Sequence, residues 1–115
     1  KSKKSNYLII IPTYNEKKNV GLIIKKINRR VKFKCDILFV DDNSTDGTIK
    51  VLKDIKSKNI SYIVREKKLG IGSAHKFGIH KAYQLKYKYI ITMDSDGTHG
   101  PKYINKMVKN IEKPV

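Results

Sequence analysis

Apolar residues recur along the chain in four short, continuous runs. They are Tyr7 to Ile11, Ile37 to Val40, Ile60 to Val64 and Tyr89 to Met93. The runs are rich in β-branched residues and do not alternate with polar ones, which is typical of strands buried on both faces of a parallel sheet. We therefore predict four buried parallel strands.

The segments between and after these runs carry apolar residues at helical spacing. The first set is Val20, Ile23, Ile24, Ile27 and Val31, and the narrower second set is Ile49, Leu52 and Ile55. The third set is Ala74, Phe77, Gly78, Ala82 and Leu85. Its small residues would allow the helix to approach a sheet closely. Pro101 stands at a first helical position before the fourth set, Tyr103, Ile104, Met107, Val108 and Ile111.

The predicted element order is therefore βαβαβαβα. This alternation favours an α/β fold with a doubly wound parallel sheet and right-handed crossovers. Ligands of such sheets bind beyond the carboxyl ends of the strands. The segments that fall there are residues 12–16, 41–47, 65–72 and 94–99.

Acidic residues follow three of the four predicted strands. Glu16 comes after the first, Asp41 and Asp42 end the second, and Asp94 and Asp96 end the fourth. The formal net charge of the chain is +16, so carboxylates gathered at this edge reverse the local charge in a way that solubility does not require. We interpret them as a binding site.

The loops at this edge also limit the alternatives. The first strand leads into PTYNE rather than a glycine fingerprint, which argues against a dinucleotide-binding fold. Asp46 lies in a turn that precedes a helix, and we predict only a capping role for it.

The pair Asp94 and Asp96 allows two chemical readings. If the chain there is extended, both carboxylates point to one side and suit Mg²⁺ or Mn²⁺ shared with a diphosphate, whose charge the metal would neutralise. The segment MDSDGT also matches the opening motif of haloacid dehalogenase-like phosphatases, with Asp94 as nucleophile and Asp96 as general acid. That motif usually opens its domain, whereas three predicted βα units precede it here.

Composition suggests a third hypothesis for the function and excludes several classes of protein. The chain has 115 residues, 39% of them hydrophobic, which suits one modest domain. Its positive charge would suit a basic polyanion-binding module, but the lysines are scattered and no reader motif with stacking aromatics accompanies them. Cys35 is the only cysteine, so an internal disulfide is excluded. No apolar run approaches the roughly 20 residues of a membrane span.

Four segments, taken together, resemble the family-2 glycosyltransferases of the GT-A fold. They are IIIPTYNEKKNV, VDDNSTDGT, REKKLGIGSAHKFG and MDSDGTHGPKYI. The similarity is greatest to the polyprenyl-phosphate glycosyltransferases, such as the dolichol-phosphate mannose synthases, and the segments occur in that family's order. Because the sequence stops straight after the fourth predicted helix, we expect residues 1–115 to be the nucleotide-sugar-binding part of a longer domain.

The resemblance implies a reaction and its partners. A sugar, mannose or glucose, would pass from a GDP- or UDP-sugar to a polyprenyl or dolichyl phosphate, with inversion and with Mg²⁺ or Mn²⁺. A second phosphate pKa near ~6 would leave this acceptor ionised at neutral pH, so no strong general base is needed. The resemblance also implies a cytoplasmic location, peripheral to a membrane.

The resemblance assigns roles to eight positions. Pro12, Tyr14 and Glu16 would contact the nucleoside, Val40 and Asp42 the base or ribose, and Asp94, Ser95 and Asp96 the diphosphate, with Asp94 and Asp96 as metal ligands. Two positions depart from the family pattern. Asn43 replaces a common glycine but can adopt the left-handed conformation, and Thr98 stands where some relatives place another polar metal contact.

Overall fold

The computed structural model describes residues 5–93. Its strands are β1 (Tyr7–Thr13), β2 (Asp36–Asp41), β3 (Ile60–Val64) and β4 (Tyr89–Thr92), and its helices are α1 (Lys17–Arg30), α2 (Thr48–Lys53) and α3 (Ile71–Gln84). Four strands and three intervening helices confirm the predicted α/β alternation. The predicted fourth helix lies outside the described residues.

The strands form one sheet in the order β3-β2-β1-β4, and every neighbouring pair is parallel. The register pairs Thr13 with Asp41 across β1 and β2, and Asp41 with Val64 across β2 and β3. The carboxyl ends of these three strands therefore meet at one edge of the sheet, which is where the sequence predicts a site.

Burial differs between the central and outer strands. Every residue of β2, and all of β1 after Tyr7, is buried, so the prediction of strands covered on both faces is confirmed for these two. It is wrong for β3, where Ser61, Tyr62 and Val64 are exposed. The reason is position, because β3 lies at the edge of the described sheet and its outer flank meets solvent.

Helices cover the two faces of the sheet unequally. Helices α1 and α2 pack on one face through Val20, Ile23, Ile27 and Leu52, against Ile9, Ile11, Ile37 and Phe39. Helix α3 covers the other face through Ala74 and Ala82. Gly78 is buried there, and a Cβ built on it would lie 2.4 Å from Ile10 Cγ2, which confirms the close approach expected from small residues.

Two further features complete the outline. The prediction that Leu85 belongs to the buried face of α3 is wrong, because α3 ends at Gln84 and Leu85 is 53% exposed.

Within residues 5–93, every helix is too short or too polar to cross a bilayer.

Candidate functional site

The loops after β1 and β2 are joined through the carboxylate of Asp41, which is fully buried. Thr13 Oγ1 donates to Asp41 Oδ1 at 2.6 Å. Ser44 donates twice, from its backbone N to Oδ2 at 2.8 Å and from Oγ to Oδ1 at 2.7 Å. A buried carboxylate with three donors is well satisfied, so Asp41 fixes the chain path at the rim.

Ser44 passes this constraint on to the segment after β1. The backbone N–H of Asn15 donates to Ser44 Oγ at 2.8 Å, and Asn15 Oδ1 accepts from the N–H of Thr45 at 2.8 Å. Asn15 and Asn43 both adopt the left-handed conformation, with φ of 54° and 60°, which Asn tolerates better than most residues. The expectation for Asn43 is confirmed, and these contacts place Tyr14 and Glu16 beside the β2 loop.

Asp42 points away from this network and pairs with Arg65. Arg65 Nε donates to Asp42 Oδ1 at 2.6 Å and Arg65 Nη2 donates to Oδ2 at 2.9 Å, while the N–H of Leu69 donates to Oδ2 at 3.0 Å. Both side chains of the ion pair are less than a tenth exposed, at 8% and 6%. This bidentate geometry fixes both side chains in a desolvated position.

Arg65 extends the connection to the segment after β3 and to the start of α3. Its Nη1 donates to Ser73 Oγ at 2.9 Å, and its Nη2 lies 3.4 Å from the carbonyl oxygen of Gly70. Its guanidinium carbon also lies 5.8 Å from the ring centroid of Phe77. One arginine therefore links two of the segments that the sequence places at the rim, residues 41–47 and 65–72, to helix α3.

The surroundings of Asp42 favour its charged form. Burial by itself would raise the pKa of the carboxyl group, but the hydrogen bonds from Arg65 and Leu69 and the positive charge of Arg65 outweigh it. The pKa of Asp42 is consequently lowered below its ordinary value of 3.8. The rim thus holds a carboxylate that is anionic and fixed in position.

Tyr14 and Lys68 supply an exposed aromatic ring and a cation next to these loops. Tyr14 is 39% exposed, and Lys68 Nζ lies 4.5 Å from the centroid of its ring, within the range of a cation–π contact. An exposed, positioned ring of this kind offers a surface on which a flat heterocycle can stack.

Glu16 lies at the same edge but faces a different neighbour. Its Oε2 accepts from Asn19 Nδ2 at 2.6 Å, and its backbone N–H donates to Thr48 Oγ1 at 3.0 Å. The side chain borders an open hollow of about 450 Å³ lined by Asn15, Glu16, Lys17, Lys18, Asn19 and Asp46. Glu16 is therefore on the α1 side of the rim, while Asp42 is on the α3 side.

The predicted capping role of Asp46 is confirmed. Its Oδ1 accepts from the backbone N–H of Thr48 at 2.9 Å, and the Thr48 hydroxyl donates to the same oxygen. Its Oδ2 accepts from the N–H of Lys17 at 3.2 Å. One carboxylate thus satisfies amide groups at the starts of both α1 and α2.

The remaining predicted site residues divide into two groups. Pro12 and Val40 lie opposite each other in β1 and β2, and both are buried; their contacts with a nucleoside stay a prediction. Asp94, Ser95 and Asp96 lie outside the described residues, and so do Pro101 and Thr98. The structure therefore brings Tyr14, Glu16 and Asp42 to one edge, while the role of Asp94 and Asp96 stays a prediction.

A metal site is not formed by the part of the chain that the structure describes. No group of three or more His, Cys, Asp or Glu side chains in residues 5–93 is arranged to hold an ion. The rim carboxylates of Asp41, Asp42 and Asp46 already accept hydrogen bonds from protein donors. These residues do not fit a divalent cation, and the predicted ligands are the two aspartates beyond them.

Sequence reasoning missed the residues that hold the site together, namely Thr13, Ser44 and Arg65. One signal could have identified Arg65. The chain has 26 basic residues, but only Arg29, Arg30 and Arg65 are arginine, and Arg65 directly follows a strand. Arginine suits a bidentate pair with a carboxylate in a way that lysine does not.

Comparison with known proteins agrees with the geometry. The sequence profile of Glycosyl transferase family 2 matches residues 8–115. The polyprenol monophosphomannose synthase of Mycolicibacterium smegmatis is 31% identical over 108 residues, which are 91% of this chain and 40% of that protein. The dolichol-phosphate mannosyltransferase of Saccharomyces cerevisiae is 30% identical over 111 residues, with coverage of 91% and 40%. The chain thus spans less than half the length of these relatives.

Solved structures support the GT-A fold. The mannosyltransferase PcManGT from Pyrobaculum calidifontis, in complex with GDP-Man and Mn²⁺, has a TM-score of 0.75 and 18% identity, covering 98% of this chain and 34% of that one. Residues 1–349 of TarS from S. aureus, in complex with UDP, have a TM-score of 0.72 and 21% identity, with coverage of 92% and 32%. With the profile match over nearly its whole length, the chain belongs to glycosyltransferase family 2.

Proposed function

We propose that this chain is the donor-binding part of an enzyme that transfers a hexose from a GDP- or UDP-sugar to a polyprenyl or dolichyl phosphate. Mannose is the favoured sugar, because two similar proteins are named for transfer of mannose to polyprenol or dolichol phosphate. Family membership favours this activity over a phosphatase that uses Asp94 as a nucleophile, and over a polyanion-binding module.

The observation that carries the proposal is the buried pair of Asp42 and Arg65 beside the exposed ring of Tyr14. Asp42 Oδ1 accepts one hydrogen bond from Arg65, and a carboxylate oxygen has room for a second. An ionised carboxylate held in this way selects a base N–H or a ribose hydroxyl, and Tyr14 can stack on the base. Glu16 would meet the ribose from the α1 side.

The chain's own contribution to catalysis is then mainly positioning. The lipid phosphate attacks the anomeric carbon with inversion, and the nucleoside diphosphate leaves. Because a phosphate monoester is largely ionised at neutral pH, the site needs no strong general base. A bound Mg²⁺ or Mn²⁺ would neutralise charge on the leaving diphosphate, and Asp94 and Asp96, with Ser95 between them, are its proposed ligand segment. With a lipid acceptor, we propose that the enzyme is a peripheral protein at the cytoplasmic face of a membrane.

Calorimetric titration tests this proposal. GDP, GDP-mannose, UDP and UDP-glucose are each titrated into the chain with and without MnCl₂, and heat is expected for one base in a metal-dependent manner. Asp42→Asn should weaken binding by about 10- to 150-fold, since a charge-assisted hydrogen bond contributes roughly 1.5–3 kcal/mol. Asp96→Ala should remove only the metal-dependent part. Asp54→Asn, at an exposed residue directly after α2, is the matched control. Absence of metal-dependent heat with all four ligands would contradict the proposal.

A further inference from the structure

The outward side of α1 carries an uninterrupted group of positive charges. We call it the α1 basic face and define it as Lys18, Leu22, Lys25, Lys26 and Arg29, all of which are exposed. The buried residues of the same helix are Val20, Ile23 and Ile27. At 100° per residue the two groups point in opposite directions, so the basic face is turned fully to solvent.

The charge is concentrated on this side of the sheet. Helix α1 contains six basic residues and no acidic one in 14 residues, KKNVGLIIKKINRR. Helix α3 has the same length and lies on the opposite face of the sheet, but it contains only two, Lys76 and Lys81. A requirement for solubility alone would not distinguish the two helices, so the asymmetry indicates a partner for α1.

Helix stability accounts for Arg29, which lies in the last turn where the helix dipole favours a cation, but it does not account for the lysines of this face. Lys25 and Arg29 are four residues apart, and like charges at that spacing destabilise a helix. Lys18 lies in the first turn, where the helix dipole disfavours a cation. None of Lys18, Lys25, Lys26 and Arg29 forms an ion pair with another residue of the described range. The face therefore presents cations that carboxylates in residues 5–93 do not neutralise.

An exposed leucine distinguishes between the two large polyanions that could bind such a face. Leu22 is 54% exposed and stands one helical turn from Lys18, Lys25 and Lys26. A phosphodiester backbone offers nothing for an aliphatic side chain, whereas the boundary between lipid headgroups and acyl chains does. Helix α1 also lacks an aromatic residue on which a base could stack. These features favour a lipid surface.

We propose that the α1 basic face docks the protein on a bilayer that contains anionic phospholipids, with Leu22 entering the headgroup region. The apolar side of α1 is already part of the core, so the helix docks in its folded position and does not insert. Attraction between a few lysines and anionic headgroups is reversible and falls with ionic strength. The inference uses only α1 and does not depend on the sugar donor.

Vesicle co-sedimentation tests the docking. The full chain is mixed with vesicles of phosphatidylcholine containing 30% phosphatidylserine, or with phosphatidylcholine alone. We expect binding to the anionic vesicles that is lost in 0.5 M NaCl. The double variant Lys25→Glu, Lys26→Glu should weaken it by roughly 25-fold or more, since each basic residue near such a surface contributes about fivefold. Leu22→Ser should weaken it by a smaller factor and retain the salt dependence.

The matched control is Lys76→Glu, Lys88→Glu, which makes the same change in net charge at two exposed residues outside α1 and should leave vesicle binding within twofold of the original. Circular dichroism confirms that each variant is folded. Three results would overturn the proposal: equal binding of the original chain to neutral and anionic vesicles, equal loss in the two double variants, or binding of an RNA oligonucleotide at 0.15 M NaCl without binding of anionic vesicles.

Discussion

At the residue scale, the two adjacent aspartates at the end of β2, Asp41 and Asp42, are both buried but are stabilised in different ways. Asp41 is surrounded by neutral donors from Thr13 and Ser44. Asp42 is paired with the full positive charge of Arg65. The first arrangement ties loops together, and the second leaves a charged pair at the carboxyl edge of the sheet.

The ion pair makes Arg65 a strong determinant of stability. Arg65→Ala should lower the free energy of unfolding by about 3–5 kcal/mol, because it leaves Asp42 buried without its counter-charge. Arg65→Lys should lower the free energy of unfolding by a smaller amount than Arg65→Ala, since one ammonium keeps the charge but cannot make the same bidentate contact. Urea denaturation measures both, with the exposed Arg29→Ala as control at no more than about 0.5 kcal/mol. A loss below about 1 kcal/mol in Arg65→Ala would show that the pair does not hold the rim.

The lowered pKa of Asp42 predicts how the difference in stability between the original protein and Arg65→Ala depends on pH. The contribution of Asp42 to stability is complete above its unfolded pKa, near ~3.9, and disappears as pH falls through the lower folded pKa. In Arg65→Ala, burial still raises the pKa of Asp42 and the Leu69 N–H still lowers it, but the hydrogen bonds and charge of Arg65 are lost, so the pKa is higher than in the original protein. Acid therefore removes less stability from the variant than from the original protein. The gap between the two urea midpoints should therefore shrink from pH 6 to pH 3. A constant gap would contradict the assignment.

Sequence patterns predicted the acids at the rim but not their partners. Glu16 and Asp42 follow strands, and the carboxyl ends of parallel strands share an edge, so their placement could be foreseen. The partnership of Asp42 with Arg65 depends on how the segment after β3 folds back towards the loop after β2. Nothing in local spacing encodes a contact of that kind, and the only clue is an arginine among many lysines.

At the scale of the elements, the distance between α3 and the sheet is set by small side chains. Gly78 faces Ile10, and a Cβ at Gly78 would lie 2.4 Å from Ile10 Cγ2 and 3.0 Å from Cδ1. Ile10 is fully buried in the central strand and has little room to move. Glycine is therefore required at this point of the helix despite its poor helical propensity.

Substitution of this glycine can be compared with substitution of a glycine in α1, for which we expect the opposite effect on stability. Gly78→Ala should destabilise the protein by about 1–3 kcal/mol through overpacking. Gly21→Ala in α1, where a Cβ would meet nothing within 4 Å, should stabilise by up to about 1 kcal/mol through helical propensity. Thermal unfolding followed by circular dichroism compares them. The same sign of change for both variants would refute the close packing of α3.

The elements themselves were largely predictable. Continuous β-branched runs predicted the ends of all four strands to within two residues, because burial in a parallel sheet selects for such residues. The pattern could not tell a central strand from an edge strand, so the exposure of Tyr62 and Val64 was missed. Strand order depends on tertiary contacts that periodicity does not contain.

At the scale of the whole molecule, Cys35 reports on the integrity of the core. It is 7% exposed and packs in the cluster under α1 and α2. Burial, together with the negative charge of Asp36, raises the pKa of its thiol to about 11. The reactive thiolate is therefore scarce in the folded protein at pH 8.

Thiol labelling should consequently follow global unfolding. At pH 8 the native chain should react with a thiol reagent roughly 100-fold more slowly than the chain in urea, because the thiolate fraction falls by about that factor when the pKa rises from 9.0 to about 11. Absorbance of the released reagent measures both rates. Because Cys35 is the only cysteine, the urea sample is a complete control, and equal rates would mean that this part of the core opens readily.

The strand order has a consequence for synthesis of the protein. The first strand occupies the middle of the sheet, between β2 and β4, and its partner β4 comes last among the described strands. On the ribosome, the nascent chain can assemble β1, β2 and β3 while one flank of β1 still exposes bare peptide groups. An unpaired flank of this kind invites aberrant association, so this part of the nascent chain is open to misassembly until β4 emerges.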